Sequence, residues 1–347
     1  MAKKLRKFQI VLDNDTLLYF PSSFLTGRVF IDLDEDTGVT GLYLHVVGEG
    51  VVRLSDRGSG GSHNDKENYI DFRMKLLGDS NHRINGSDRT PDEEVDRLIV
   101  LTAGVHNFPF KLGLPLGLPS TFLGRHGWIQ YYCKVALKEP GGLTHKNQQV
   151  FLLMNPIDLS LEPALLMQPF HCELEGELGI PCINLGPVSC RVRLDRGGYV
   201  PGESIRLSAT IDNGSGVAIH RTKALLTETI QYTAKKKIVQ SETRELASLQ
   251  KGRIDAGTTD HWKNELLYIP PLPPTNLRGC HLIKIQYDVY FQIEPKGVDR
   301  VMSLQLPIMI ATYPVRNRDG TLPRRQGTSY PPSLPVCRPW LNSAKLK

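Results

Sequence analysis

Short runs in which apolar and polar residues alternate recur along the whole chain. Residues 8–12, 25–33 and 129–135 are examples, and Gly, Pro, Asp and Ser separate such runs from their neighbours. A period of two is typical of β-strands that bury one face, and the residues between the runs favour turns. No stretch has the periodicity of a convincing amphipathic helix. The pattern therefore predicts an all-β protein built from β-sandwiches.

Parts of this pattern occur twice. Residues 129–135 read Ile-Gln-Tyr-Tyr-Cys-Lys-Val and residues 285–291 read Ile-Gln-Tyr-Asp-Val-Tyr-Phe, and a glycine-containing turn precedes each. A Tyr-x-Pro segment opens at Tyr19 and again at Tyr199, and each begins a run that ends in Ile-Asp after the same spacing. Features that recur in one order indicate a duplicated domain.

The duplication sets the expected domain boundaries. The first half is the longer, and two polar segments rich in turn-forming residues, 55–68 and 78–97, can hold its extra residues. We predict a first β-sandwich over residues 1–158, a connector over 159–186, a second β-sandwich over 187–314 and a flexible, basic, Pro-rich tail over 315–347. Within the connector, residues 172–175 have the pattern of a short strand.

Composition narrows the class of protein. With 347 residues, 40% of them hydrophobic and 22% charged, the chain resembles an ordinary globular protein of two domains. No apolar run approaches the roughly 20 residues that a bilayer crossing needs, and the N-terminus turns polar before a signal peptide could form. Six cysteines without Cys-x-x-Cys or metal-ligand spacing favour free thiols in a reducing compartment. We therefore expect a cytoplasmic protein without a transmembrane segment, metal or cofactor.

Motifs for catalysis are missing from the sequence. It has no Gly-x-Ser-x-Gly, His-Glu-x-x-His, Walker or dinucleotide-binding motif. The acids at residues 92–94 lie in a polar loop, where a solvated surface explains them better than catalysis. A triad assembled in space stays open as an alternative, but we expect a protein that is not an enzyme. The net charge of +6 is modest for this length and does not call for a nucleic-acid ligand.

Clusters of basic residues are the main candidates for binding. The first surrounds one end of the predicted strand at residues 8–12 and contains Lys3, Lys4, Arg6 and Lys7. The second is predicted at a hairpin tip and contains Lys235, Lys236 and Lys237. Each has two interpretations: an anion-binding site, or charges that only keep a strand edge or a turn soluble.

The tail offers a third basic region. Its cations could attract an anionic membrane surface at about 1 kcal/mol each, or the tail could simply be solvated. These cations are Arg316, Arg318, Arg324, Arg325, Arg338, Lys345 and Lys347.

Several ordered motifs over residues 5–314 are similar to those of the α-arrestins, the arrestin domain-containing proteins. They are Gly-Arg-His-Gly before the first Ile-Gln-Tyr strand, the segment at residues 186–205, and Leu-Leu-Tyr-Ile-Pro-Pro ahead of the second Ile-Gln-Tyr strand. The resemblance implies two tandem arrestin-type, immunoglobulin-like β-sandwiches. It also implies a cytosolic adaptor, recruited to the plasma membrane and endosomes, that binds receptors or transporters. Members of this family recruit HECT-type ubiquitin ligases and promote ubiquitination, endocytosis and sorting of their cargo.

The sequence departs from the family at two places. In the tail, Leu334 occupies the Tyr position of the Pro-Pro-x-Tyr motif that WW domains of the ligases recognise, so direct ligase binding should be weak or absent. The alternative is a peripheral lipid-surface or trafficking scaffold that partners with other α-arrestins and does not bind a ligase itself. A thioredoxin-binding branch uses a cysteine shortly before the Trp that matches Trp262, but this chain has Thr259 there, so no mixed disulfide can form.

The resemblance also assigns a role to the first basic cluster. Visual and β-arrestins bind phosphorylated tails through lysines on their first strand, near the positions of Lys3, Lys4, Arg6 and Lys7. We therefore expect acidic or phosphorylated cargo segments to bind along this strand, with backbone hydrogen bonds along a free edge supplying affinity.

Overall fold

The computed structural model describes residues 5–55, 62–78, 98–180, 183–297, 301–317 and 319–323. These residues form strands and two short 3₁₀ helices, so the expectation of an all-β fold with two tandem domains is confirmed. Lys3, Lys4 and Leu334 lie outside the described residues, as do the acids at 92–94.

The described chain divides into two compact units. The first contains the residues up to Asn155 together with Arg278–Leu282, and the second contains Pro156–Leu277 and the residues from Ile283 onward. The strands of the first unit are β1 (Leu5–Leu12), β2 (Leu18–Tyr19), β3 (Phe24–Leu33), β4 (Thr37–Val39), β5 (Gly41–Ser55), β6 (Ser62–Leu77), β7 (Ile99–Leu101), β8 (Gly104–Gly113), β9 (Phe122–Leu123), β10 (Gly127–Lys138) and β11 (Thr144–Leu153).

The second unit begins with the 3₁₀ helices Leu159–Leu161 and Ala164–Met167. Its strands are β12 (Phe170–Ile180), β13 (Ile183–Leu194), β14 (Gly198–Tyr199), β15 (Ser204–Asn213), β16 (Ile219–Ala234), β17 (Lys237–Lys251), β18 (Thr258–Tyr268), β19 (Ile283–Pro295) and β20 (Met302–Ile310). The span predicted as a connector, 159–186, thus holds both 3₁₀ helices and all of β12.

The larger sheets of the two units have the same strand order. In the first unit the order is β2-β11-β10-β5-β6, and in the second it is β14-β20-β19-β16-β17. Both begin with a two-residue strand that pairs in parallel, β2 with β11 and β14 with β20. The Tyr-x-Pro segments provide these two short strands, so each repeat motif occupies the same place in its own unit.

The Ile-Gln-Tyr strands form the centre of each core. In β10 the side chains of Ile129, Tyr131 and Cys133 are buried because they point to the inner face at every second position. Tyr131 donates a hydrogen bond to the carbonyl of Pro119 at 2.6 Å, and in the second unit Tyr287 donates to the carbonyl of Pro273 at 2.8 Å. In each unit, the tyrosine of the Ile-Gln-Tyr strand thus forms a hydrogen bond that connects the core to a Pro-rich crossover.

The second sheet differs between the units by one strand. Its order is β1-β3-β8 in the first unit and β12-β13-β15-β18 in the second. Since β3 and β15 carry the matching Ile-Asp pairs, β1 corresponds to β13, and β12 is an addition to the second unit. The edge strand of the first unit is therefore an inner strand in the second.

Candidate functional site

The outer edge of β1 is a candidate site for an extended peptide. β1 pairs with β3 on one side, and among the described residues no strand pairs with its other side. The backbone groups of Phe8 point to that other side, because antiparallel residues alternate in the direction of their polar groups and the amide of Asp13 bonds to Thr26 of the β3 side. An edge of this kind offers unpaired donors and acceptors to an incoming strand.

A side chain occupies one acceptor on this edge. Asn147, on the adjacent strand β11, donates its Nδ2 hydrogen to the carbonyl oxygen of Phe8 at 2.5 Å. A strand that joins β1 must take over that carbonyl, so it must displace the Asn147 amide.

In the second unit the corresponding edge already carries a strand. β12 pairs with β13 in antiparallel fashion, with Leu174 opposite Cys190 and Glu175 opposite Ser189. The exposed positions of β12 are His171 followed by the acids Glu173, Glu175 and Glu177. Glu173 forms an ion pair with Arg191 of β13 at 2.5 Å. The second unit therefore contains, within its own chain, an extended and largely acidic strand on the edge that no described strand occupies in the first unit.

The strand registers identify the counterpart of Lys7. Lys7 lies opposite Asp32, and Ser189 lies opposite Asp212, the residue that corresponds to Asp32 in the repeat. Glu175 of β12 is therefore opposite the position that Lys7 occupies in the first unit. An acidic strand bound to β1 in the same way would place a carboxylate beside the Lys7 ammonium group.

Arg6 and Lys7 have different surroundings. The exposed guanidinium group of Arg6 forms ion pairs with Asp34 and, at 3.7 Å, with Asp32. Lys7 has no carboxylate partner among the described residues, and its ammonium group lies 5.2 Å from the centre of the Phe30 ring. Lys7 is therefore the better placed of the two for an external anion.

A basic groove lies next to this edge and was missed by the sequence analysis. It has a volume of about 480 Å³ on the outer face of β5, β10 and β11. Its lining includes Tyr43, His45, Lys134, Lys146 and Asn147. We call it the β11 groove. Its lysines lie on the paired strands β10 and β11, and the only signal for them in the sequence was their place at polar positions of alternating runs.

Two aromatic rings position the lysines around the β11 groove. The Lys134 ammonium group lies 4.6 Å from the centre of the Tyr132 ring, and those of Lys138 and Lys75 lie 4.7 and 5.6 Å from the Tyr43 ring. Cation–π contacts hold these side chains against the sheet and keep their positive charge beside the groove.

The second predicted cluster lies at the tip of the β16–β17 hairpin. Lys235 and Lys236 form the two-residue turn with φ values of 51° and 63°, and Lys237 begins β17. All three side chains are exposed. These three lysines therefore lie together on a hairpin turn of the second unit, whereas β1 belongs to the first unit.

The remaining sequence candidates are accounted for as follows. Thr259 donates to Asp212 at 3.0 Å. Arg316, in the predicted tail, is paired with Asp158 at 2.9 Å. Within the described residues, no group of three His, Cys, Asp or Glu side chains could hold a metal ion. No helix in the same part of the chain is long and apolar enough to cross a membrane.

Comparisons with known proteins match both units. The family model for the arrestin (or S-antigen) N-terminal domain matches residues 8–160, and that for the C-terminal domain matches residues 184–315. Arrestin domain-containing protein 4 of Mus musculus is 28% identical over 306 residues, which are 85% of this chain and 69% of that protein.

Two further relatives have similar coverage. Arrestin domain-containing protein 17 of Caenorhabditis elegans is 26% identical over 317 residues, 90% of this chain and 71% of that protein. Thioredoxin-interacting protein of Sus scrofa is 24% identical over 316 residues, 90% of this chain and 76% of that protein. The similarity therefore extends across both sandwiches.

Proposed function

Because the chain belongs to the arrestin family, together with the arrestin domain-containing proteins, we propose that it is a non-enzymatic adaptor that binds an extended, acidic segment of a membrane receptor or transporter along the free edge of β1. The observation that carries the proposal is β12, which fills the corresponding edge in the second unit. The adaptor would act in the cytoplasm and be recruited to the plasma membrane and endosomes by its cargo.

Backbone hydrogen bonds would supply most of the affinity. Strand addition satisfies the edge donors and acceptors whatever the cargo sequence is, and alternate side chains then select the ligand. The acids of β12 indicate which side chains suit this edge. Lys7 and the lysines of the β11 groove supply the complementary charge, so phosphorylated or acidic segments are preferred and salt weakens their binding.

The consequence for the cargo would be ubiquitination, endocytosis and sorting. The Leu334 position lies outside the described residues, and a WW domain has little affinity for a motif without Tyr. We therefore propose that a HECT-type ligase reaches the cargo through a second arrestin domain-containing protein that this chain binds. Proximity labelling in cells should recover cargo and such a partner. Recovery of a ligase that persists when the partner is depleted would contradict this part of the proposal.

A peptide that copies β12 provides the direct test of the edge. Residues 170–180, with serine in place of Cys172, are labelled and titrated with the full-length protein, and fluorescence anisotropy gives the Kd. In Phe8→Pro the ring removes an outward N–H without touching the bonds to β3. We expect binding to weaken more than about tenfold, since a donor is lost and the ring blocks the edge. Phe8→Leu keeps the N–H and should bind like the unaltered protein.

Charge variants separate the two cations on β1. Lys7→Glu should weaken peptide binding several-fold at low salt, and Arg6→Gln should change it little because Arg6 is already paired with acids of β3 and its following loop. If Phe8→Pro binds the peptide as well as Phe8→Leu does, the β1 edge is not the site. If binding is the same at low and high salt, the acidic preference is wrong.

A further inference from the structure

The turn between β16 and β17 has a backbone that its residues disfavour. Both Lys235 and Lys236 have positive φ, which two-residue hairpins of this type require at both positions. Asn-Gly is the sequence that fits such turns best, because a side chain with a Cβ crowds the backbone there. Lys235 and Lys236 therefore form a less stable turn than Asn-Gly would. Backbone strain of this kind is concentrated at functional sites.

The chemistry of the tip is basic and apolar. Lys235, Lys236 and Lys237 are followed by Ile238, which is 61% exposed although it is a large aliphatic residue. We call these four residues the basic turn. Neither Lys236 nor Lys237 has a carboxylate partner among the described residues.

The described strand residues next to the basic turn are not acidic. On β16 the last residues are Tyr232, Thr233 and Ala234, and on β19 the exposed Lys284 lies opposite Gln231. The first acid of β17 is Glu242, which lies opposite Ile230 and therefore further along the hairpin. The tip of the hairpin therefore presents three exposed lysines and the exposed side chain of Ile238.

We propose that the basic turn binds the surface of an anionic lipid bilayer, with its ammonium groups on headgroup phosphates and Ile238 at the boundary with the acyl chains. An extended peptide would pair along the outer edge of β17, which ends its sheet among the described residues, whereas the lysines of the basic turn lie at the start of that strand. A bilayer instead presents dense negative charge to any projecting group, and each lysine near it improves partitioning about fivefold. Ile238 adds burial of apolar surface.

A single basic turn gives weak, reversible membrane binding. Stable attachment of peripheral proteins takes two signals. Cargo held by the first unit would supply the other, because a molecule already bound to a membrane protein meets the bilayer at high effective concentration. The lipid contact is separate from the β1 edge, so each can be tested without the other.

The test uses the full-length protein and sedimentation with vesicles of phosphatidylcholine alone or with about one third phosphatidylserine, at low salt. In the variant Lys235→Asn with Lys236→Gly, the turn receives its preferred residues and loses two charges. We expect the Tm to stay or rise while partitioning onto the anionic vesicles falls about 25-fold. A purely structural role for these lysines would lower the Tm instead.

Matched variants distinguish the basic turn from net charge. Lys263→Gln with Lys296→Gln removes two exposed lysines elsewhere in the second unit and should change partitioning less than twofold. Ile238→Ser keeps every charge and should reduce binding about fivefold by removing apolar burial. The variant Lys236→Gln with Lys237→Gln leaves Lys235 unchanged. Its partitioning onto the anionic vesicles should fall as much as that of Lys235→Asn with Lys236→Gly.

Several outcomes would overturn the proposal. One is equal partitioning by the Asn-Gly variant and the unaltered protein. Another is an equal loss in the matched control, which would leave only net charge. Binding to phosphatidylcholine that matches binding to the anionic vesicles would do the same. If the Asn-Gly variant loses the acidic β12 peptide but keeps the vesicles, the basic turn contacts protein and the lipid assignment is wrong.

Discussion

A buried carboxylate in the second unit allows one stability prediction to be worked out in detail. Glu228, on β16, is 1% exposed, and its Oε2 accepts a hydrogen bond from Nε of Arg244 at 2.6 Å. Its Oε1 accepts one from the hydroxyl of Tyr287 at 3.0 Å. Arg244→Met would remove the only opposite charge that contacts this carboxylate among the described residues.

The magnitude follows from the geometry. Removing one partner of a buried ion pair costs about 3–5 kcal/mol, since the other charge stays buried without compensation. Here the Arg244 side chain is 63% exposed, so water can approach the vacated oxygen from its side. We therefore expect the lower end, about 3 kcal/mol, and a fall in the Tm of the second unit of roughly 6–12 °C.

Tryptophan fluorescence can follow the second unit separately. Trp262 is buried on β18 against Phe291, with ring centroids 5.2 Å apart. In a background with Phe at Trp128 and Trp340, its emission reports the unfolding of this unit in urea. The companion variant Arg244→Met with Glu228→Gln removes the unpaired charge and should recover at least half of the loss, because Tyr287 keeps its bond to Pro273.

The refuting results are specific. If Arg244→Met costs less than about 1 kcal/mol, the carboxylate is solvated and its burial is not costly. If the double variant is no more stable than Arg244→Met alone, the lost free energy came from packing of the arginine stem and not from the stranded charge.

Three further predictions concern the first unit, and one of them compares it with Cys172 of the second unit. Gly48→Ala should destabilise it by about 1–3 kcal/mol in thermal unfolding, because the added Cβ would lie 2.5 Å from the ring of Tyr131; an unchanged Tm would contradict this contact. Burial raises the pKa of the Cys133 thiol to about 12, so iodoacetamide should modify the half-exposed Cys172 before Cys133, as mass spectrometry would show. Labelling of Cys133 at an equal rate in the native protein would contradict its burial. Asn147→Ala should tighten binding of the β12 peptide about threefold to tenfold, since the edge carbonyl is then vacant; weaker binding would mean that the amide contacts the ligand instead of competing with it.

The sequence predicted the duplication and the fold because the evidence for them is local. Alternation of apolar residues reports which face of a strand is buried, and the Tyr-x-Pro and Ile-Gln-Tyr segments recur in order. Burial of Tyr131 and Tyr287 follows directly from that alternation. Because the same pattern occurs at corresponding places in both halves, each occurrence supports the assignment of the other as a strand.

The candidate site was less accessible because it depends on pairing between distant strands. The span of β12 contains Gly176 and Gly179 among its acids, and it was predicted to belong to a connector. The β11 groove collects Lys134 and Lys146 from neighbouring strands, and only the register of the sheet brings them together. The alternation and the basic residues led us to expect an edge strand at residues 8–12, but which side of β1 stays unpaired depends on the strand order of the sheet.

That difference between the two halves has an engineering consequence. In the second unit, β12 is part of the chain and occupies the sheet edge that no described strand occupies in the first unit. A second copy of residues 170–180, fused ahead of Leu5 through a glycine-rich tether, would bind the β1 edge intramolecularly. Its effective concentration would exceed that of any free peptide. Such a tethered protein would not bind cargo in a cell, although both of its units would stay folded. Cleavage at a protease site in the tether would restore binding.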